Sequence, residues 1–148
     1  MDATPQLAMA AALTMRVRNP FTAFGIGLGS HVVLDAIPHY HVGWIAGATG
    51  LSLADLLLGT GLALAMVAMS PAPWGSIVGA LGGAAPELER LTAGGRYDFF
   101  EAPPFNFPHA TVGLPWGLLT QAAATLFAVG IAIRFRRVPA PGRTREEV

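Results

Sequence analysis

Proton-active side chains interrupt an otherwise apolar run at Ser30-His31-Val32-Val33-Leu34-Asp35-Ala36-Ile37-Pro38-His39-Tyr40-His41. In a helix, His31 and Asp35 stand one above the other on the same face. Pro38 lacks a backbone donor and turns Ile37 away from helical geometry, so His39 and His41 are expected just past the helix end. The spacing His-x-x-x-Asp-x-x-x-His offers nitrogen and oxygen ligands of the kind zinc or another divalent transition metal accepts. The plainer alternative is an Asp–His hydrogen bond that fixes one imidazole tautomer. Ser30 adjoins His31, but neighbours along a helix do not face each other, which argues against a Ser–His nucleophile.

Asp55 raises a related question. It lies in the apolar stretch 45–69, and an ionised carboxylate at the centre of a membrane helix costs roughly 2.5 to 3.5 kcal/mol on insertion scales. It must therefore face a polar cavity, find a partner or stay protonated. A metal shared by His31, Asp35, Asp55 and Glu87 would offset these burial costs together; an interhelical hydrogen bond is the structural alternative for Asp55.

The elements that must position these groups are helices. Of 148 residues, 53% are hydrophobic and 12% charged, about half the charge of an ordinary soluble domain, which points to a membrane protein of one domain. The nine basic residues are all arginine and are balanced by nine acids, so no general basic field argues for nucleic acid. Without cysteine there is no disulfide or thiolate site. Asp2 stands where a secretory signal would carry positive charge, and no cation comes before Arg16, so residues 1–17 are read as part of the fold. Apolar runs at 7–17, 21–37, 45–69, 74–91 and 110–135 predict an all-α, polytopic membrane bundle of about four to five helices. It occupies 1–138, with 92–108 as a surface loop and 139–148 as a disordered cytoplasmic tail. The run 7–17 is too short to span and must enter one leaflet or pack obliquely. Gly25 and Gly29 form a small-x-x-x-small pair suited to close helix packing, as do Gly75, Gly79 and Gly83. Gly25-x-Gly27-x-Gly29 has neither the preceding strand nor the spacing of a dinucleotide loop.

Charge placement gives the orientation. With Arg16 and Arg18 in the cytoplasm, alternating spans bring Arg134, Arg136 and Arg137 to the same side. His39, His41, Glu87, Glu89 and His109 then fall together on the external side, as does the amino terminus. Phe99, Phe100, Phe105 and Phe107 are expected to anchor the 92–108 loop at the lipid interface.

These residues carry a resemblance. The series Thr4-Pro5-Gln6, Arg18-Asn19-Pro20, Ser30 to His39, Ala54-Asp55-Leu56-Leu57-Leu58-Gly59, Ala85-Pro86-Glu87 and Pro108-His109 resembles the bacterial membrane-bound metal-dependent hydrolases of the LexA-binding, inner-membrane-associated type. The strongest part is Ser30 to His39 together with Asp55, and the likeness weakens after Gly95. It implies metal-dependent hydrolysis of an ester or phosphoester at the outer face of the plasma membrane. The implied metal ligands are His31, Asp35, His39, Asp55, Glu87 and His109, zinc is the first candidate metal, and Asp55 and Glu87 are the catalytic carboxylates. Membrane lipids and an amphiphilic substrate are the expected partners, with oligomerisation compatible. Two departures stand out: Gln6 replaces an expected histidine, and Glu87 replaces an aspartate. Gln6, with the sparse histidines of the 105–109 segment, where Phe105, Asn106 and Phe107 precede a single His109, favours as the alternative a degenerate relative whose polar cluster serves helix assembly or partner binding. A small ion or proton transporter using His31, Asp35 and Asp55 as a relay is the third class.

Overall fold

A computed structural model describes residues 2–40, 49–93 and 110–136 and shows an all-α bundle of five helices. They are α1 (Ala3–Leu13), α2 (Pro20–Ala36), α3 (Thr49–Met69), α4 (Pro73–Ala93) and α5 (Trp116–Phe135). Residues 41–48 with His41, residues 94–109 with Phe99, Phe100, Phe105, Phe107 and His109, and residues 137–148 with Arg137 lie outside the described residues.

The shortest helix is the central one. α1, 11 residues long, touches each of the other four, and its Ala8, Ala10, Ala11 and Ala12 are fully buried. Alanine favours helix and has almost no side chain, so four neighbours can approach the backbone closely. The helix starts and ends earlier than its apolar run predicts. Pro5 is tolerated within the first turn, Asp55 receives the Thr4 N–H, and the chain turns at Thr14 to Arg16. At the far end, the Met15 carbonyl accepts from Ser70 Oγ at 2.8 Å and from Ala72 N at 3.0 Å.

α2 begins at Pro20, with Asn19 accepting from the Thr22 N–H as its cap, as an Asn-Pro start dictates. Its buried face is Gly27, Ser30, His31, Leu34 and Asp35, a helical stripe at i, i+3, i+4, i+7 and i+8. That face corrects the expected packing surface. Gly25 and Gly29 stand about 200° from Gly27 at 3.6 residues per turn, and a side-chain carbon at either would meet open space. Gly27 makes the contact instead, against the Gly79 carbonyl and Gly83 of α4. Turning His31 and Asp35 inward forces this choice.

Helices consecutive in the chain run in opposite directions, so the packed pairs α1–α3, α1–α5 and α2–α4 are parallel. The carboxyl ends of α1, α3 and α5 gather at one end with Arg16, Arg18, Arg134 and Arg136, and Arg16 lies over the Phe135 ring at 4.9 Å. The acidic residues Asp2, Asp35, Asp55, Glu87 and Glu89 occupy the opposite half; the side chain of Arg90, next to Glu89, lies outside the described residues. Polar side chains such as Gln6, Thr14, His31, Asp35 and Ser76 are buried, while Phe21 (87% exposed), Leu57, Leu64, Leu126 and Phe127 face outward. Among the described residues one helix, Trp116–Phe135, is long and apolar enough to cross a membrane by length and composition, and the apolar stretch Leu53–Met69 is shorter.

Substituting Gly27→Val should overpack the α2–α4 contact and destabilise by at least about 1 to 3 kcal/mol, whereas Gly29→Ala should be neutral or stabilising by up to about 1 kcal/mol. Thermal unfolding of the two variants side by side checks the corrected face.

Candidate functional site

The site is built where α1, α2 and α4 meet. Asp35 is almost fully buried and accepts at Oδ1 from Gln6 Nε2 at 2.9 Å. Its Oδ2 lies 3.1 Å from His31 Nε2. The other imidazole nitrogen, Nδ1, lies 2.8 Å from the Gly83 carbonyl oxygen. A carbonyl only accepts, so Nδ1 carries a proton. One further proton is then shared between His31 Nε2 and Asp35 Oδ2, giving either an imidazolium–carboxylate pair or its neutral equivalent. Gln6 is oriented with its nitrogen towards Asp35 because its oxygen would repel the carboxylate.

The sequence sets this locally. The i, i+4 spacing on α2 makes the His31–Asp35 contact. Pro86 lies inside α4, where it removes the helical donor to the Gly82 carbonyl and loosens that turn. In that turn Gly82 lets α2 approach, since a side-chain carbon there would meet the Phe24 carbonyl, and Gly83 makes room for Ala10 of α1. The Gln6 Oε1 atom is buried without a hydrogen-bond partner, an arrangement that costs of order 1 to 3 kcal/mol.

The end of α2 is tied down by backbone. The Asp35 carbonyl accepts from Ala110 N at 3.0 Å, His39 N donates to Ala110 O at 3.2 Å, and Val112 N donates to His39 O at 2.9 Å. His39 is fully buried, with Nδ1 2.8 Å from the Ile37 carbonyl. Thr120 Oγ1 of α5 donates to Pro38 O. Ser30 Oγ donates to Gly27 O and takes no part in the cluster.

Asp55 does something different. From α3 its carboxylate receives the Thr4 N–H at 3.3 and 3.4 Å, while Thr4 Oγ1 donates to the Asp55 carbonyl at 2.7 Å. The first N–H groups of a helix have no internal partner and carry partial positive charge, so an anion there satisfies both. Asp55 thus caps α1 from a neighbouring helix. Thr4 and Gln6 are two residues apart, on different sides of α1, so the two carboxylates they hold are separated by that helix. The shared pocket expected of His31, Asp35, Asp55 and Glu87 is not assembled: among the described residues, no three His, Asp or Glu side chains gather closely enough to hold a metal. Glu87 is half-buried on α4, one turn beyond Gly83. His109 and His41 lie outside the described residues.

Two participants were not identified as such from sequence: Gln6 as donor to Asp35 and Gly83 as acceptor from His31. The signal for the second was Gly82-Gly83 followed by Pro86, which marks a loosened helical turn with an approachable backbone. No family model matches this chain, and neither a curated protein nor a solved structure matches it.

Replacing Asp55 by Ala should remove the cap and cost about 0.5 to 2 kcal/mol, with faster hydrogen exchange at the Thr4 amide. Replacing Gln6 by Leu removes both the hydrogen bond to Asp35 and the unmet Oε1, so it should cost less, no more than about 1.5 kcal/mol, and leave Thr4 exchange unchanged. Amide exchange and unfolding on both variants separate the two anchors of α1.

Proposed function

We propose that this chain is a polytopic helical membrane protein and that its His31–Asp35 pair is the reactive centre of a metal-dependent hydrolase acting on an ester or phosphoester. The membrane reading is supported by the inverted surface, with large apolar side chains outside and glycine, alanine and polar groups inside, as lipid requires. Segregation of the arginines from the carboxylates supports the orientation: carboxyl terminus cytoplasmic, site facing the external or periplasmic side of the plasma membrane.

The observation that carries the hydrolase reading is the His31–Asp35 geometry. A ligating histidine commonly donates its second N–H to a carbonyl, and the Gly83 oxygen does this for His31. Two N and O ligands at about 2.0 to 2.2 Å from one tetrahedral ion stand roughly 3.3 Å apart; His31 Nε2 and Asp35 Oδ2 are 3.1 Å apart. The pair therefore fits two positions of a zinc-type site, and Gln6, an amide, adds no good transition-metal ligand. A divalent metal held there would lower the pKa of a bound water and polarise the substrate oxygen.

The chain's own groups do the rest. Gln6 holds Oδ1 and the Gly83 carbonyl holds Nδ1, so neither ring nor carboxylate rotates away. The proton shared by Nε2 and Oδ2 must leave before both atoms can ligate, so metal affinity should rise with pH. Glu87, four residues beyond Gly83 and on the same side of α4, is assigned as proton acceptor. Asp55 is withdrawn from that role by its work at the start of α1.

One observation favours a second reading. The Gln6 amide already satisfies Asp35, so the cluster can act as a purely structural link among α1, α2 and α4.

Metal analysis decides between them. The hydrolase reading expects about one zinc or manganese per chain, lost in Asp35→Asn, retained in Asp55→Asn, and bound more tightly in Gln6→His. It also expects phosphoester turnover that chelator abolishes. Metal-free protein, with Gln6→His gaining no affinity, would establish the structural reading instead.

A further inference from the structure

An apolar groove of about 610 Å³ runs between α2 and α5 with α1 as its floor. Its walls include Leu13, Ile26, Val33, Ile37, Ala124 and Phe127. The two hydroxyls that also line it, Ser30 and Thr120, both donate to backbone carbonyls, so it offers a ligand hydrocarbon contact. Along α5 the groove stripe of Thr120, Ala124 and Phe127 continues through Ile131 to Arg134 at the helical spacing of three and four. Along α1 the floor of Met9 and Leu13 leads on to Arg16, which lies over Phe135. The groove itself runs from Ile37 and Thr120 to Leu13, Ile26 and Phe127, and the stripe beyond Phe127 leads on to the arginine end of the bundle. Arg16, Arg18, Arg134 and Arg136 are all exposed there, and every acid among the described residues is in the other half.

We propose that this groove holds one anionic phospholipid, its acyl chain against Leu13, Val33 and Phe127 and its phosphate against Arg16 and Arg134. Charge complementarity selects the headgroup: a cation near an anionic membrane surface favours such lipids, and basic pockets between helices on the cytoplasmic side are a common form of lipid site. The apolar walls select a chain rather than a free phosphate. The inference rests on the membrane reading and extends it to a lipid bound in a defined groove between α2 and α5.

The test is lipid retention by the full chain, reconstituted in bilayer discs of equal phosphatidylglycerol and phosphatidylcholine, extracted in mild detergent and weighed by native mass spectrometry. Phosphatidylglycerol should be retained preferentially, about one per chain, and excess inorganic phosphate should not displace it. The pair Arg16→Gln with Arg134→Gln should lower retention at least about tenfold, from the usual gain per arginine near anionic lipid. Gly29→Phe should also lower it: Gly29 lines the groove and its side-chain position is open, so phenylalanine fills the space without disturbing the helix contact. Gly25→Phe, equally open but outside the groove, should change nothing. Equal retention of both lipids, displacement by phosphate, or full retention in Gly29→Phe would overturn the inference. Recovery of the unaltered chain from the aqueous rather than the membrane fraction would overturn the membrane reading itself.

Discussion

The buried contact between His31 Nε2 and Asp35 Oδ2, 3.1 Å apart, is the constraint around which the helices are arranged. An imidazole and a carboxylate can be buried there because each remaining polar atom is met: Nδ1 by the Gly83 carbonyl and Oδ1 by the Gln6 amide. Those two partners come from different helices. Satisfying the pair therefore fixes α1 and α4 against α2, and it is one reason an eleven-residue helix can occupy the middle of the molecule. Asp55 completes the arrangement from α3 by accepting the Thr4 N–H in the first turn of α1. One buried acid, Asp35, and one half-buried acid, Asp55, thus serve one short helix at different points of its first two turns.

Backbone proximity is what makes this possible. Glycines at 27, 79 and 83 leave α2, α4 and α1 close enough that a side chain at any of them would collide with a neighbour. With little volume to fill, the interior is alanine, glycine and small hydroxyls, and the leucines and phenylalanines are displaced to the outside. In water such a surface would associate; on the membrane reading proposed above it faces lipid. The same geometry draws every described acid to one half and every described arginine side chain to the other end, so the site and the cationic surface do not compete.

Much of this was legible in the chain. The i, i+4 pair, the Asn19-Pro20 helix start, the Ser70-Pro71 stop and the convergence of arginines at one end all follow from local rules. The choice of packing glycine was misread because Gly25 and Gly29 fit a helix-contact spacing on their own, whereas burial of His31 and Asp35 turns Gly27 inward. Asp55 illustrates a deeper limit. Its burial demanded a partner, and the spacing of acids and histidines suggested a metal, but the partner is the backbone of a helix fifty-one residues away. A free helix terminus carries no side-chain signature. The role of Gln6 was hidden for a similar reason: an amide reads as a lost ligand until the carboxylate it donates to is seen beside it.

The most direct measurement is nitrogen-15 NMR of the His31 ring in histidine-labelled protein. The account predicts a protonated Nδ1 with slow solvent exchange and a coupling across the hydrogen bond to the Gly83 carbonyl. A ring whose Nδ1 lacks a proton, or whose Nδ1 proton exchanges as fast as one open to solvent, would contradict it.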